Sequence, residues 1–384
     1  MIFSNKYIKY TSKSKYELYT TLILFKILSN KNIVQLGKKL LQIGLKLNLP
    51  ILSLIKKTVF RQFCGGEDII ESNQKIAELG KYNIQTILDY SVEGKNDDIS
   101  FNHTYNEILK NLEEAQKNNL IPFCVFKITG IARFSLLKKI NANEALSEAE
   151  KVEFKTLINR LEIICKKAKN NNTPILIDAE ESWIQNIIDE LATNLMATYN
   201  KDTVIIYNTI QLYRSDKLEY LKRLHQTAKQ QRFKLGLKIV RGAYMEKERE
   251  RAKRKKYQSP IHTTKINCDQ DYNAASKYCI QNIKDMQLCF GTHNEKSTEI
   301  IITLMKQEGL SNNDTRIYFS QLLGMSDNIS FYLGHFNYNV AKYVPYGPVK
   351  EVLPYLIRRA EENSAITGQT NREIIRIKEL LKAF

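Results

Sequence analysis

Residues 203–240 read TVIIYNTIQLYRSDKLEYLKRLHQTAKQQRFKLGLKIV. An apolar, β-branched run, Thr203 to Ile210, gives way to a longer stretch rich in Lys and Arg, and a second apolar run follows from Leu235 to Val240. Nearly continuous apolar runs of this length suit parallel strands covered on both faces, and the amphipathic stretch between them suits the helix that covers them. The unit therefore reads as strand, helix, strand. The same alternation extends both ways from it. Counting from about residue 84, the runs are Ile84 to Tyr90, Pro122 to Ile128, Pro174 to Ile177, Thr203 to Ile210, Leu235 to Val240, Gln287 to Gly291, Arg316 to Phe319 and Val340 to Val344. Eight units fit a closed (β/α)8 barrel better than an open doubly wound sheet. No G-x-G-x-x-G follows any of the runs, which argues against a Rossmann dinucleotide site.

The bulk numbers agree with an α/β barrel plus an extension: 384 residues, 43% apolar and 26% charged, enough for a large core, although length alone leaves two compact domains open. Residues 1–65 read as an N-terminal helical arm and residues 66–384 as the barrel with a C-terminal helix at its mouth. In the arm, Ile33, Leu36, Leu40, Ile43 and Leu47 recur every three to four residues, an amphipathic pattern whose preferred reading is packing against the barrel. Pro50 ends that helix. The stretch Leu49 to Phe60 begins another, whose basic residues offer a second reading, contact with a membrane surface.

No apolar run reaches the roughly 18 to 20 residues needed to cross a bilayer, and the longest, Leu22 to Leu28, is broken by Lys26. The start lacks a secretory cleavage site, and Glu17 in a Lys-rich rather than Arg-rich context argues against a transit peptide. A cytoplasmic bacterial protein is expected, with peripheral contact at the inner face of the inner membrane as an option. Six cysteines occur without any C-x-x-C pair, so buried reduced thiols are expected and no metal site. The net charge of +17 would suit a polyanion. Lys, Ile and Asn are in excess together, however, and the run Lys247 to Lys256 (KERERAKRKK) mixes acids with bases as a solvated helix face does.

Working residues of a barrel project from the C-terminal ends of its strands. Those ends carry Lys127, Asp178, Gln211, Lys238 with Arg241, His293 with Asn294, Gln321, and Tyr343. Polar residues at seven of eight ends suggest a polar pocket at one face. Near the C-terminus, Tyr355-Leu-Ile-Arg358-Arg359-Ala-Glu361-Glu362-Asn363 reads as helical. Glu362 lies four residues from Arg358 and three from Arg359, so its carboxylate can orient a pair of guanidinium forks toward a ligand carboxylate.

Lys238-Ile-Val-Arg241-Gly242-Ala243-Tyr244, Phe290-Gly-Thr-His293-Asn294, Gln321-Leu-Leu-Gly324-Met325, Lys342-Tyr343-Val-Pro345-Tyr-Gly347 and the Tyr355 to Asn363 segment occur in this order. They resemble the successive signatures of the proline dehydrogenase family, in its single-function form. The resemblance spans about residues 60 to 384 and takes in Phe63-Cys-Gly-Gly-Glu67 and Leu88-Asp-Tyr-Ser-Val-Glu93.

The resemblance implies a distorted (β/α)8 TIM barrel with FAD at the strand ends and the last helix over the flavin. It implies that Lys127, Arg358 and Arg359 hold the proline carboxylate, that Glu362 orients the arginines, and that Tyr343, Tyr244 and Tyr355 wall the ring. Cofactor contacts are implied for Gln211, Lys238, Val240, Gly242, Ala243, Thr263, Lys265, His293, Asn294 and Gln321. Asp178 is expected beside the flavin and among the catalytic groups. Gly242 would let the cofactor approach closely, and Lys238 would supply positive charge near its ring.

The implied reaction is FAD-dependent oxidation of L-proline to Δ1-pyrroline-5-carboxylate, the first step of proline catabolism to glutamate. Electrons would go to membrane quinone and product to a separate pyrroline-5-carboxylate dehydrogenase. No general base appears among the matched residues, so the neutral amine is expected to react. Relatives that prefer hydroxyproline carry a smaller residue where this chain has Tyr343. Hydroxyproline dehydrogenase is the nearest alternative. The rival from another class is an inactive barrel acting as a basic nucleic-acid-binding protein, but no nucleic-acid-binding signature is present and no such partner is expected.

Overall fold

The computed structural model describes residues 13–47, 50–92, 94, 96–365 and 367–382, without the side chains of Gln42, Ala365 and residues 367–370. Glu93 and the first twelve residues of the arm lie outside the described residues. The strands are β1 (Gln85–Tyr90), β2 (Phe123–Lys127), β3 (Ile175–Asp178), β4 (Ile206–Gln211), β5 (Leu235–Val240), β6 (Met286–Gly291), β7 (Ile317–Leu322) and β8 (Val340–Tyr346). They form one closed barrel in chain order. Parallel pairing of β8 with β1, from Gln85↔Ala341 to Tyr90↔Tyr346, closes it.

Each of the eight apolar runs holds one strand. The clearest boundary difference is at β7, which continues through Ser320, Gln321 and Leu322, beyond the point where polar residues end the apolar run. Strand side chains alternate between faces. Ile87, Phe123, Val125, Leu176, Tyr207, Cys289, Ala341 and Tyr343 fill the barrel. Their neighbours Leu88, Cys124, Phe126, Ile175, Ile177, Leu237, Phe290, Phe319 and Val344 pack outward under the helices. Burial of one such Leu, Ile or Phe contributes about 1.5–3 kcal/mol, which pins the register: a one-residue slip would exchange the two sets. All six cysteines are buried and free.

The arm is helical over Lys15–Leu28, Lys31–Lys46 and Ile51–Ile55, the last running on through Lys56–Phe60 to Arg61–Phe63. Ser14 and Glu17 form a capping box at the first helix, and the Asn30 side chain caps the second. The first helix packs Leu18, Leu22 and Phe25 against Ile377 of the C-terminal helix Thr367–Lys382. The second packs Val34, Leu41 and Leu45 into a cluster with Phe60, Phe63, Leu353 and Leu356.

This corrects the expected docking face. Ile33, Leu36, Leu40, Ile43 and Leu47 are exposed. The helix carries two apolar stripes, and the stripe containing Val34 is the one that meets the protein. Among the described residues no helix is long and apolar enough to cross a membrane.

The basic run also differs from expectation. Helix Met245–Lys255 buries Glu248, which accepts hydrogen bonds from the Ser182 backbone N–H and hydroxyl at 2.6 and 2.7 Å. Lys247 pairs with Glu181, and the Arg251 guanidinium lies 4.5 Å from the Trp183 ring centre. One side of the run is therefore a docking face for helix Ser182–Tyr199, rather than wholly solvated.

Candidate active site

Lys127 and Asp178 end adjacent strands in register, which sets the Lys127 ammonium 3.6 Å from the Asp178 carboxylate. Lys238, arriving from β5, also donates to Asp178 and, at 2.8 Å, to the phenol oxygen of Tyr343 on β8. One carboxylate thus stands between two ammonium groups at the barrel mouth and leaves a net positive charge there. Burial, with the Asp178 charge beside it, pushes the Tyr343 phenol well above its ordinary value. Tyr343 stays protonated and keeps its own proton to donate.

Gln211 ends β4 and donates from its amide nitrogen to the Glu180 carbonyl at 3.0 Å. Glu180, in the turn after β3, accepts from the Thr129 backbone N–H at 3.1 Å and from its hydroxyl at 2.5 Å, which ties the turn after β2 to the turn after β3. Burial raises the Glu180 carboxyl to about 7, against the opposing effect of those hydrogen bonds.

After β6, His293 Nδ1 lies 3.1 Å from the Ser326 hydroxyl. Burial, with Lys342, Arg359 and Arg241 near, pushes His293 down to about 3, so the imidazole is neutral. The Asn294 side chain caps helix Glu295–Gln307. Arg241 is committed to the scaffold, donating to Asp269, Thr292 and Ser297 at 2.7, 2.8 and 2.8 Å.

Helix Leu353–Ala365 carries the arginines. Arg359 is buried, donates to Glu362 at 2.5 Å, and lies 5.3 Å from the Tyr355 ring centre. Arg358 is half-buried beside them. Burial pushes the Glu362 carboxyl up, while Arg359 and Arg358 oppose that shift. Glu362 thus holds Arg359 at the three-residue spacing read from the sequence.

Val240 is partly buried at the end of β5, and beyond it Gly242 and Ala243 are open to solvent. Gly242 has φ +132°, and a Cβ there would meet the Tyr213 ring at 2.5 Å. The glycine is required by the loop itself, in addition to any close approach of a ligand. Tyr244 is half-buried at the start of helix Met245–Lys255. Thr263 is exposed, and Lys265 opens helix Lys265–Gln281 and pairs with Asp269, so both lie on the rim.

Gln321 is a correction. Strand alternation puts Ser320 on the inner face, beside Cys289 at 3.5 Å, and turns Gln321 outward, where it donates to the Thr292 carbonyl and accepts from Ser330 at 2.8 Å. Both ends of its amide are engaged by protein groups.

Asp89 supplies the eighth strand end, which the reading of polar residues passed over. It sits two residues beyond the inward-facing Ile87, is buried, and accepts from the Ser91 hydroxyl at 2.8 Å. Its signal lay within the Leu88 to Glu93 motif. Glu180, also missed, sits two residues beyond Asp178 on a turn that an apolar-run reading treats as loop.

Among the described residues nine buried side-chain polar atoms have no hydrogen-bond partner, and three of them, Gln211 Oε1, the Tyr355 hydroxyl and Arg359 Nε, belong to the candidate site. Orphaned buried groups ask for a ligand. One acceptor, two donors and surplus positive charge at one mouth fit a flavin together with a small carboxylate substrate.

The sequence profile of proline dehydrogenase matches residues 72–372. The chain belongs to the proline dehydrogenase family. Members of that family are oxidoreductases acting on proline. The chain is 34% identical to mitochondrial proline dehydrogenase 1 of Dictyostelium discoideum, over 97% of this chain and 73% of that one. It is 33% identical to the carbapenem antibiotics biosynthesis protein CarD of Pectobacterium carotovorum, over 86% of this chain and 85% of that one. Among solved structures, proline utilization A of Bdellovibrio bacteriovorus, inactivated by N-propargylglycine, superposes with TM-score 0.73 at 19% identity. That superposition covers 94% of this chain and 39% of the larger protein, and the family barrel is shared.

Proposed function

We propose that the chain oxidises L-proline to Δ1-pyrroline-5-carboxylate with bound FAD, as the first step of proline catabolism to glutamate. The observation that carries this reading is the cationic barrel mouth, in which Lys127 and Lys238 flank Asp178 while Arg359 Nε and the Tyr355 hydroxyl are buried without partners. FAD, when bound, supplies the acceptor for the hydride lost from the ring carbon next to nitrogen. Gln211, Lys238, Val240, Gly242, Ala243, His293 and Asn294 would hold it, with Thr263 and Lys265 at the rim.

Lys127, Arg358 and Arg359 bind the substrate carboxylate, and Glu362 orients the arginine fork, so that binding energy is converted into a fixed ring position. Tyr343, Tyr244 and Tyr355 wall the ring, and Asp178 fixes the two lysines. Lys238 places positive charge where negative charge accumulates during transfer. No residue is assigned as base, so the amine reacts in its neutral form and the rate rises above neutral pH. Electrons pass to a membrane quinone, and the product passes to pyrroline-5-carboxylate dehydrogenase. The place of action is the bacterial cytoplasm, at the inner face of the inner membrane.

A relative from Xenopus laevis named hydroxyproline dehydrogenase is 28% identical, which keeps hydroxyproline as the second substrate to compare. Tyr343 occupies space that a ring hydroxyl would need and favours proline. The test is anaerobic mixing of the purified protein with either amino acid while the visible flavin absorbance is followed. Bleaching by L-proline, faster than by hydroxyproline, is expected. A protein that carries no flavin, or one that proline fails to bleach, would refute the assignment.

A further inference from the structure

The turn after β7 is held from outside at three consecutive residues. Gln62 of the arm donates to the Gly324 carbonyl at 3.0 Å, and Lys342 of β8 donates to the Met325 carbonyl at 2.6 Å. Glu373 of helix Thr367–Lys382 accepts from the Ser326 backbone N–H at 3.0 Å. The turn needs such holding. Gly324 has φ +76° and Ser326 has φ +51°, and for a serine that left-handed conformation is sparsely populated and costs energy. Ser326 is also buried, so its polar groups depend on protein partners rather than on water.

Ser326 joins two elements that are far apart in the chain. Its N–H meets the Glu373 carboxylate, and its hydroxyl lies 3.1 Å from His293 Nδ1. The neutral imidazole has one N–H and one bare nitrogen. Contact with the hydroxyl fixes the plane of the ring and sets which nitrogen carries the proton. Glu373 thus reaches His293 in two hydrogen bonds. One helical turn further on, Arg376 donates to Asn328 at 2.5 Å and pairs with Glu295, while Asn328 donates to the same Glu295 oxygen at 3.2 Å. Glu295 follows Asn294 directly, and Asn328 lies two residues beyond Ser326. The helix therefore ties the loop after β6 to the loop after β7 at two points, and the first of those loops carries His293 and Asn294, both proposed to hold the cofactor.

We propose that Glu373 is a positioning residue for the flavin site: it seats Ser326, and Ser326 seats the His293 ring. Arg376 supports the same arrangement by keeping the two loops at a fixed separation. This deepens the assignment of His293 and Asn294 to FAD and rests on it. The hold on the cofactor then depends on a helix that lies beyond the one carrying Arg358 and Arg359 in the chain. Support of this kind matters because a slightly displaced ring loses its hydrogen-bond geometry.

The test follows FAD release from the full-chain holoenzyme, diluted into flavin-free buffer, by the rise in flavin fluorescence. Glu373→Asp keeps a charge for Arg376 but withdraws the carboxylate from Ser326 by one methylene, and should release FAD about tenfold faster, the loss of one hydrogen bond. Glu373→Gln gives up the charge but keeps an acceptor for the N–H, and should stay within about twofold of wild type. Ser326→Ala leaves the N–H to Glu373, cuts the link to His293, and should match Glu373→Asp. Combining those two substitutions should add little, since both cut one chain of bonds. The proposal falls if either Glu373→Asp or Ser326→Ala releases FAD at the wild-type rate, or if their losses add in full. It falls equally if Glu373→Gln is as fast as Glu373→Asp, for the carboxylate would then act only as a charge that stabilises the fold. Should a Glu373 variant fail to fold, the Ser326→Ala rate decides. Anaerobic bleaching of the wild type by proline reports on the enzyme assignment separately. Protein that releases FAD as expected but is not bleached refutes only that assignment, and protein that holds no flavin refutes both.

Discussion

Lys238 on β5 donates to the phenol oxygen of Tyr343 on β8 at 2.8 Å, joining two strands that are not neighbours in the barrel. The same ammonium group contacts Asp178. The bond therefore spans the mouth, and Tyr343, proposed to wall the substrate ring, and Lys238, proposed to face the cofactor, share one hydrogen-bond network.

The two ends of that bond are unequal. Tyr343→Phe removes one neutral acceptor and leaves Lys238 held by Asp178, so a loss of about tenfold in kcat/KM is expected, about 1.4 kcal/mol. Lys238→Met leaves the Asp178 carboxylate with one cation, and removing a partner from a buried hydrogen-bonded charge pair costs about 2–5 kcal/mol. A loss of a hundredfold or more is expected in the rate of anaerobic flavin reduction. Equal losses in both variants would remove Asp178 from its central place.

The proposed reading assigns the substrate carboxylate to Arg359, so the contribution of this residue should depend on the ligand having one. Arg359→Met should raise the KM for proline about a hundredfold, about 2.7 kcal/mol, and reduce the preference for proline over pyrrolidine, which lacks the carboxylate, by a similar factor. Glu362→Gln should weaken proline binding about tenfold, because the fork stays present but loses its orienting charge. Steady-state kinetics on both substrates check this. An unchanged preference in the Arg359 variant would place the carboxylate elsewhere.

The barrel was legible because each strand is a short apolar run, and seven of its polar strand ends could be found by the same rule. Asp89 escaped because Tyr90 extends the apolar character of β1 past it. Gln321 was misplaced because a motif gives residue order, whereas strand parity decides which side chain faces inward, and parity selects Ser320. The arm was assigned the wrong inner face because helix Lys31–Lys46 is apolar on two sides. Periodicity detects a stripe but does not say what covers it.

Glu180 links pH to stability. In the unfolded chain its carboxyl ionises near 4.5, whereas in the folded chain burial holds it at about 7. Between those values the native state keeps a proton that the unfolded state has released, so stability falls as pH rises from about 4.5 through about 7, by at most about 3 kcal/mol. Glu180→Gln keeps an oxygen for Thr129 and has no charge to bury. The urea midpoint of the variant relative to wild type should therefore shift upward between about pH 5 and pH 8. A difference that stays constant with pH would mean that Glu180 is ionised in the native state across the whole range.

The turn that carries Glu180 rests in turn on a buried ion pair. Lys217 donates to Asp189 at 2.5 Å, and both are buried. The other Asp189 oxygen accepts from Gln185 and Asn208 at 2.9 Å each, and Gln185 accepts from the Glu180 backbone N–H at 2.7 Å. Breaking a buried pair leaves a charge without compensation, which costs about 3–5 kcal/mol, whereas replacing both partners by apolar groups is far milder. Lys217→Met and Asp189→Leu should each destabilise by about that amount, and the double variant by less than the sum of the two, giving a coupling energy of about 2 kcal/mol or more in a double-mutant cycle. Because the Asp189 oxygen also holds Gln185, the Asp189 variant should additionally loosen the Glu180 turn and weaken retention of the flavin, an effect that Lys217→Met should show only faintly. Denaturant unfolding measures the first outcome and flavin content after gel filtration the second. Additive destabilisation together with equal flavin loss in both variants would mean that the network supports the barrel wall alone.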